Sequence, residues 1–261
     1  MEAPVLETGE RIDRVNENLC LIQKKDGLTF GTDAYLLAAF LRPQKRGRAV
    51  ELGAGTGIIS LLCAARERFA HVDALEIQED FAKMAMRNVT LNHLEDRMTV
   101  RHADIRLVSP DILGGEVDVV FANPPYMRAD SGKRNDSDRK NIARHEVCGT
   151  VANFCCAARR LLKHGGKFYC VWRPDRLSEL MAALNAQGLE PKVMVFVHGD
   201  AETEPSMVLV SATKGGAPGM RILPPLLLHD VTKDRSGKRE LTRRAQAIYD
   251  TMSFYKEEKG E

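Results

Sequence analysis

Short apolar runs rich in Val, Leu and Ile alternate with longer amphipathic stretches through the middle of the chain. The apolar runs predict strands over 48–52, 72–77, 98–102, 116–122, 166–172, 190–198 and 206–213. The helical spacing of apolar residues between them predicts helices over 57–68, 79–91, 149–163 and 175–187. Strands alternating with helices of this length imply a parallel sheet covered on both faces, a doubly wound α/β unit of seven strands.

The flanks follow other patterns. Before the core, Cys20-Leu21-Ile22-Gln23, a turn at Asp26-Gly27 and Leu28-Thr29-Phe30 predict a hairpin, followed by a helix capped by Thr32 or Asp33. After it come Lys214-Gly215-Gly216-Ala217-Pro218-Gly219, Pro224-Pro225 and a polar helix from about Glu240. The organisation expected is a single domain over 1–261, made of an N-terminal segment (1–47), the core (48–213) and a C-terminal extension (214–261). One stretch breaks the rhythm: Arg128 to Glu146 is polar, lies between a strand and a helix, and exceeds the usual connection of about 2–6 residues. In such sheets, long loops at the C-terminal ends of strands are where ligands are gripped.

Composition narrows the class. With 261 residues, 44% hydrophobic and 28% charged, the chain can bury a substantial core, which excludes disordered, collagen-like and coiled-coil readings. Thirty-eight Lys and Arg against 36 Asp and Glu leave a formal net charge of +2, so no bulk field marks a polyanionic partner. No basic start precedes an apolar run, and no apolar stretch is long enough for a membrane span. The chain is therefore expected to be cytoplasmic, monomeric and without a membrane partner. Cys20, Cys63, Cys148, Cys155, Cys156 and Cys170 show no metal-ligand spacing, so reduced thiols and no metal are expected.

Candidate chemistry begins at Glu51-Leu52-Gly53-Ala54-Gly55-Thr56-Gly57, which follows the first core strand and opens a helix. Gly53, Gly55 and Gly57 allow a sharp turn and close approach of backbone to ligand. Dinucleotide loops favour GxGxxG, and the acid Glu51 beside this loop would repel a pyrophosphate but suit a cation. Glu76 ends the next strand, where a carboxylate can accept from both hydroxyls of a ribose, and Asp104 follows the third strand at the depth of an adenine ring. Three acids around a glycine loop point to S-adenosyl-L-methionine, whose sulfonium and amino groups are positive. These residues resemble the class I S-adenosylmethionine-dependent methyltransferases, which implies a Rossmann-like fold with a central, mostly parallel sheet flanked by helices.

The strand over 116–122 runs into Asn123-Pro124-Pro125-Tyr126. Two prolines remove two donors and stiffen the backbone. The Asn123 side-chain oxygen and the Pro124 carbonyl could then accept both hydrogens of a planar amine, with the Tyr126 ring stacked on the plane that bears it. Such hydrogen bonds raise electron density on a conjugated nitrogen and orient it for in-line attack on a methyl group. This tetrapeptide resembles the hallmark of methyltransferases acting on adenine N6, guanine N2, cytosine N4 or the glutamine amide. The guanine N2 enzymes of ribosomal RNA tend to end the motif in Phe-His, whereas Tyr126-Met127 stands here, and the glutamine enzymes carry a helical domain before the glycine loop.

Over nearly its whole length the chain is similar to the bacterial tRNA1(Val) adenine N6-methyltransferase family. The matching residues are Leu21-Ile22-Gln23, Asp26-Gly27-Leu28, Phe30-Gly31-Thr32-Asp33-Ala34, Ile142-Ala143-Arg144-His145-Glu146, Lys214-Gly215-Gly216 and Leu223-Pro224-Pro225-Leu226. The resemblance implies methylation of the adenine beside the anticodon, with Phe30, Gly31, Thr32 and Asp33 folded over the cofactor. It also implies Pro125, Tyr126, Arg128, Arg144 and His145 as substrate contacts. Local charge agrees with an RNA partner. Arg128, Lys133, Arg134, Arg139, Lys140 and Arg144 crowd the loop after Tyr126, and Arg159, Arg160, Lys163, Lys167 and Arg173 form a second acid-free run. An anticodon-loop adenine is already partly unstacked, so turning it into a pocket costs less than opening a duplex, and stacking on Tyr126 would return roughly 1–3 kcal/mol. Two other classes compete: a nicotinamide oxidoreductase, with Tyr255 and Lys259 at the required spacing, and a non-catalytic nucleotide- or RNA-binding module.

Overall fold

Alternate residues of the central strands are buried toward opposite sides, and two cores result. In a computed structural model, which describes residues 6–25, 31–125, 149–233 and 239–255, Ala49, Val72, Ala74, Val119 and Phe121 enter one core. Their neighbours Val50, Leu75, Val120 and Ala122 enter the other. A sheet buried on both faces accounts for runs that read as continuously apolar rather than alternating.

The elements in order are β1 (Glu10–Asn16), β2 (Leu19–Lys24), α1 (Thr32–Phe40), β3 (Gln44–Leu52), α2 (Ile58–Ala65), β4 (Phe69–Glu76), α3 (Glu79–Leu91), β5 (Met98–His102) and β6 (Val117–Ala122). There follow α4 (Val151–Leu161), β7 (Leu162–Trp172), α5 (Leu177–Ala186), β8 (Leu189–His198), β9 (Pro205–Lys214), the short β10 (Arg221–Ile222) and β11 (Leu226–Leu227), β12 (His229–Lys233), β13 (Arg239–Leu241) and α6 (Arg243–Thr251). The main sheet has the order β10-β8-β9-β7-β6-β3-β4-β5, with β11 also on β8. Strands β5, β4, β3, β6 and β7 are parallel, and β9 is antiparallel to both β7 and β8.

All seven predicted core strands are present, but the sheet has nine. The added pair, β10 and β11, are two residues each and flank Leu223-Pro224-Pro225, where the missing proline donors interrupt pairing with β8. Runs so short carry no readable period. The predicted hairpin also needs correction: β2 pairs with the preceding β1 through a turn at Glu17-Asn18. β1 exposes Ile12, Arg14 and Asn16 at alternate positions and buries only the acid Glu10, so it presents no apolar face to read, while residues 26–30 lie outside the described residues. The cap prediction changes likewise. Gly31 is the N-cap of α1, Thr32 and Asp33 lie within its first turn, and no side chain caps it. The last helix starts at Arg243, capped by Thr242, whose hydroxyl accepts from the Ala245 N–H at 3.1 Å.

The chain runs β3, β4, β5 to one side and returns to β6 and β7 on the other. The crevice at the C-terminal ends of β3 and β6 is thus the topological switch point, the place where such sheets bind ligands. Leu52 and Ala122 are paired across it, so the glycine loop and Asn123 leave the sheet side by side. The C-terminal segment packs back on α1: Tyr249 stacks on Tyr35 at 4.8 Å, and the buried Arg68 guanidinium donates to the carbonyls of Leu41 and Met252. Among the described residues no helix is long and apolar enough to cross a membrane.

Candidate active site

The loop after β3 turns through three residues of positive φ, Gly53 (+70°), Gly55 (+55°) and Gly57 (+82°). These glycines do different things. A Cβ on Gly57 would meet Met98 at 3.1 Å and Ala85 at 3.4 Å, so this glycine lets α2 pack on α3 and β5. A Cβ on Gly55 would meet nothing within 4 Å, so only its backbone conformation demands glycine there. The loop is fastened from β4: Gly53 and Ala54 donate to the Leu75 carbonyl, and the Gly55 N–H donates to Glu76 Oε2 at 2.7 Å. Glu76 Oε1 accepts from the Gln78 N–H at 2.8 Å. Each carboxylate oxygen keeps a further lone-pair site, enough for two hydroxyls.

Beside the loop lies a cavity of about 470 Å³, whose lining includes the acids Glu51, Glu76 and Asp33 and the apolar Ile77, Ile105 and Phe154. Gly31, Gly53, Gly55, Asn123 and Pro125 also line it. Glu51 is buried. Its Oε2 accepts from both the N–H and the hydroxyl of Ser60. Removal from water pushes its carboxyl up to about 8 against the pull of those hydrogen bonds, and the nearby Glu76 adds to the rise. A cation brought into the cavity would reverse that balance. Asn123 donates from Nδ2 to Asp33 Oδ2 at 2.8 Å, joining the end of β6 to the first turn of α1.

Thus the structure brings Gly31, Asp33, Glu51, Gly53, Gly55, Glu76, Asn123 and Pro125 around one cavity. Gly57, Pro124 and Thr32 are not in its lining; Thr32 lines an adjoining groove with Asp33, Trp172 and Met207. Asp104 is not in the cavity lining either. Its carboxylate is gripped by the Arg106 guanidinium at 2.6–2.9 Å, which holds it below the usual carboxylate range, and Ile105 forms the wall instead. An Arg two residues after the Asp was the overlooked sign of that pairing. Phe30, Tyr126, Arg128, Arg144 and His145 lie outside the described residues.

Other contributors were not read from the sequence. Buried Asn88 of α3 accepts from Ile22 N–H at 2.6 Å and donates to the carbonyls of Ile22 and Thr56 at 3.0 Å each. One turn on, Asn92 makes the same two-way pairing with Cys20. The helix thereby imitates a neighbouring strand for β2, and the Thr56 bond ties that strand to the glycine loop. The spacing of Asn88 and Asn92 was the available clue.

The basic run over 159–173 is mostly committed to the fold. Arg160 donates to the carbonyls of Val108 and Ile105, Lys163 binds Asp118 at 2.8 Å, Lys167 donates to Thr213 at 2.8 Å, and Arg173 binds Asp175 at 2.6 Å. Cys63 is buried and its thiol pushed up to about 12, so it is no nucleophile. Among the described residues no group of three His, Cys, Asp or Glu could hold a metal. Tyr255, the proposed oxidoreductase tyrosine, packs in the C-terminal cluster against Phe40 with Arg42 over its ring, away from the cavity lining.

Residues 24–186 match the methyltransferase small domain family. A protein of Dyadobacter fermentans named tRNA1(Val) (adenine(37)-N6)-methyltransferase is 34% identical over 144 residues, 55% of this chain and 58% of that protein. One of the same name from Bacteroides fragilis is 32% identical over 189 residues, 72% of this chain and 78% of its own length. A solved Agrobacterium tumefaciens structure described as a predicted O-methyltransferase superposes with a TM-score of 0.68 at 22% identity, covering 86% of this chain and 98% of that one. That likeness speaks for the fold.

Proposed function

Since the chain belongs to the methyltransferase small domain family, we propose that it transfers a methyl group from S-adenosyl-L-methionine to the exocyclic N6 amine of an adenine in tRNA, the adenine beside the anticodon of tRNA1(Val). The observation that carries this reading is that Asn123 and Pro125, at the end of β6, line the same cavity as the glycine loop and Glu76. Donor and acceptor would meet there.

The cavity fits the cofactor. Gly53 and Gly55 present bare backbone, Glu76 has lone pairs left for ribose hydroxyls, and Ile77 and Ile105 offer apolar surface for a base. Glu51 supplies negative charge for its amino and sulfonium groups. When bound, S-adenosylmethionine supplies an electrophilic methyl group.

The rest falls to the chain. The Asn123 Oδ1 and the Pro124 carbonyl accept the two hydrogens of the target amine and hold its nitrogen in line with the methyl group. Tyr126 stacks on the base. No strong base is needed, because the nitrogen becomes acidic as its bond to carbon forms. Arg128 and Arg144 hold phosphates flanking the flipped nucleotide, and tRNA is the partner, approached through its anticodon loop.

Transfer of labelled methyl from S-adenosylmethionine into total tRNA tests this directly: the wild type should label tRNA and Asn123→Ala should not. Equal labelling by the two would remove Asn123 from the reaction. Label found instead in cytosine, guanine or a protein glutamine would move the substrate to another amine.

A further inference from the structure

Asn123 lies 90 positions along the chain from Asp33, yet its Nδ2 donates to Asp33 Oδ2 at 2.8 Å. With the Asp33 oxygen as acceptor the donor is the amide NH2, so this contact defines which way the amide is turned. The NH2 must face Asp33, and Oδ1 lies on the opposite side of the planar group. A side-chain amide otherwise rotates between two nearly equivalent orientations, one of which presents donors where the target amine needs an acceptor.

Two further features keep Asp33 in place. It sits in the first turn of α1, where the helix dipole favours a carboxylate. Its other oxygen, Oδ1, folds back over Gly31, where a Cβ would come within 2.5 Å of it. Gly31 has φ −102° and ψ 178°, extended backbone that any residue adopts. A Cβ at 31 would therefore oblige the Asp33 carboxylate to move, while the local backbone would accept any residue.

We propose that Asp33 is a positioning residue for methyl transfer, which fixes the Asn123 amide with its oxygen toward the target amine, and that Gly31 keeps the space this requires. The proposal rests on the reading of Asn123 as the amine's acceptor. It differs from a cofactor-binding role for Asp33 in what each variant should do. Asp33→Ala removes the acceptor; Asp33→Asn removes the charge but keeps an oxygen for Nδ2; Gly31→Ala leaves Asp33 in the chain but displaces its carboxylate.

The test combines tRNA methylation kinetics, S-adenosylhomocysteine affinity and the 15N–1H resonances of the Asn123 side-chain amide, assigned by their loss in Asn123→Asp. Asp33→Ala should lower kcat about tenfold to a hundredfold while S-adenosylhomocysteine affinity stays within about twofold, a cost typical of a misoriented reacting group. Asp33→Asn should regain most of the lost kcat, and Gly31→Ala should fall between. The downfield Asn123 amide proton should disappear in Asp33→Ala and persist in Asp33→Asn. Parallel loss of cofactor affinity in both Asp33 variants, without recovery in Asp33→Asn, would overturn the proposal in favour of a charge acting on the cofactor. An amide proton indifferent to Asp33, in a wild type that methylates tRNA, would overturn it alone. A wild type that methylates no adenine, but whose amide proton answers to Asp33, would support the contact and overturn the functional reading instead.

Discussion

In the proposed mechanism the chemistry at the residue scale centres on Asn123, which follows a buried strand, lines the cavity and donates to Asp33 on another element. Asn123→Ala is expected to lower kcat about 10²- to 10³-fold, the usual cost of removing one oriented transition-state hydrogen-bonding group. Its S-adenosylhomocysteine affinity should change far less, as calorimetry would show. Glu51 carries a separate, pH-dependent prediction. Its folded-state value of about 8 lies above the ordinary 4.5, so across that window the folded chain holds a proton that the unfolded chain has released. Its contribution to stability is therefore complete below about pH 4.5 and is lost as pH rises through about 8. Glu51→Gln, neutral at every pH, should gain thermal stability over the ligand-free wild type on going from about pH 5 to about pH 8.5. A difference in Tm that is constant with pH would contradict this. Ligand affinity should behave oppositely: a cation in the cavity favours the ionised form, so S-adenosylmethionine should bind the wild type more tightly as pH rises toward 8.

At the scale of elements, α3 does more than cover the sheet. Buried Asn88 makes hydrogen bonds to β2 and to the glycine loop at once. Asn88→Ala leaves those backbone groups unpaired, at about 1–3 kcal/mol for each buried group that stays unsatisfied. Urea unfolding should show a loss of about 2–4 kcal/mol; a change within about 0.5 kcal/mol, normal for a surface position, would show that β2 does not depend on it. The same elements show what could be read in advance. α3 was expected over 79–91 and is found at Glu79–Leu91, and β5 was expected over 98–102 and is found at Met98–His102, because apolar periodicity bounded by polar breaks marks both. β1 escaped notice because it pairs at the surface, and β10 and β11 because two residues make no period. In the site, Gly53, Gly55, Glu76 and Asn123 were legible from type and position. The Asp33–Asn123 and Asn88–Thr56 bonds were not, since both join elements whose neighbourhood only the fold creates.

At the scale of the whole molecule, a formal net charge of +2 concealed two arrangements of sign. Acids gather on the cavity, while most of the cations over 159–173 are held by carbonyls and carboxylates of the fold. If tRNA is gripped by the basic residues between 128 and 144 and not by that run, Lys163→Ala and Arg173→Ala should leave tRNA affinity within about twofold. Arg128→Ala and Arg144→Ala should each reduce the slope of log affinity against log salt by about 0.7–0.9. The reverse pattern would move the RNA to the run over 159–173. The central claim, that this fold and cavity methylate an adenine of tRNA at N6, meets its most direct test in mass spectrometry of tRNA nucleosides from cells with and without the protein. The account predicts an N6-methyladenosine species present with the protein and missing without it, restored by the wild type but not by Asn123→Ala. An unchanged N6-methyladenosine content, or loss of a different methylated nucleoside, would contradict it.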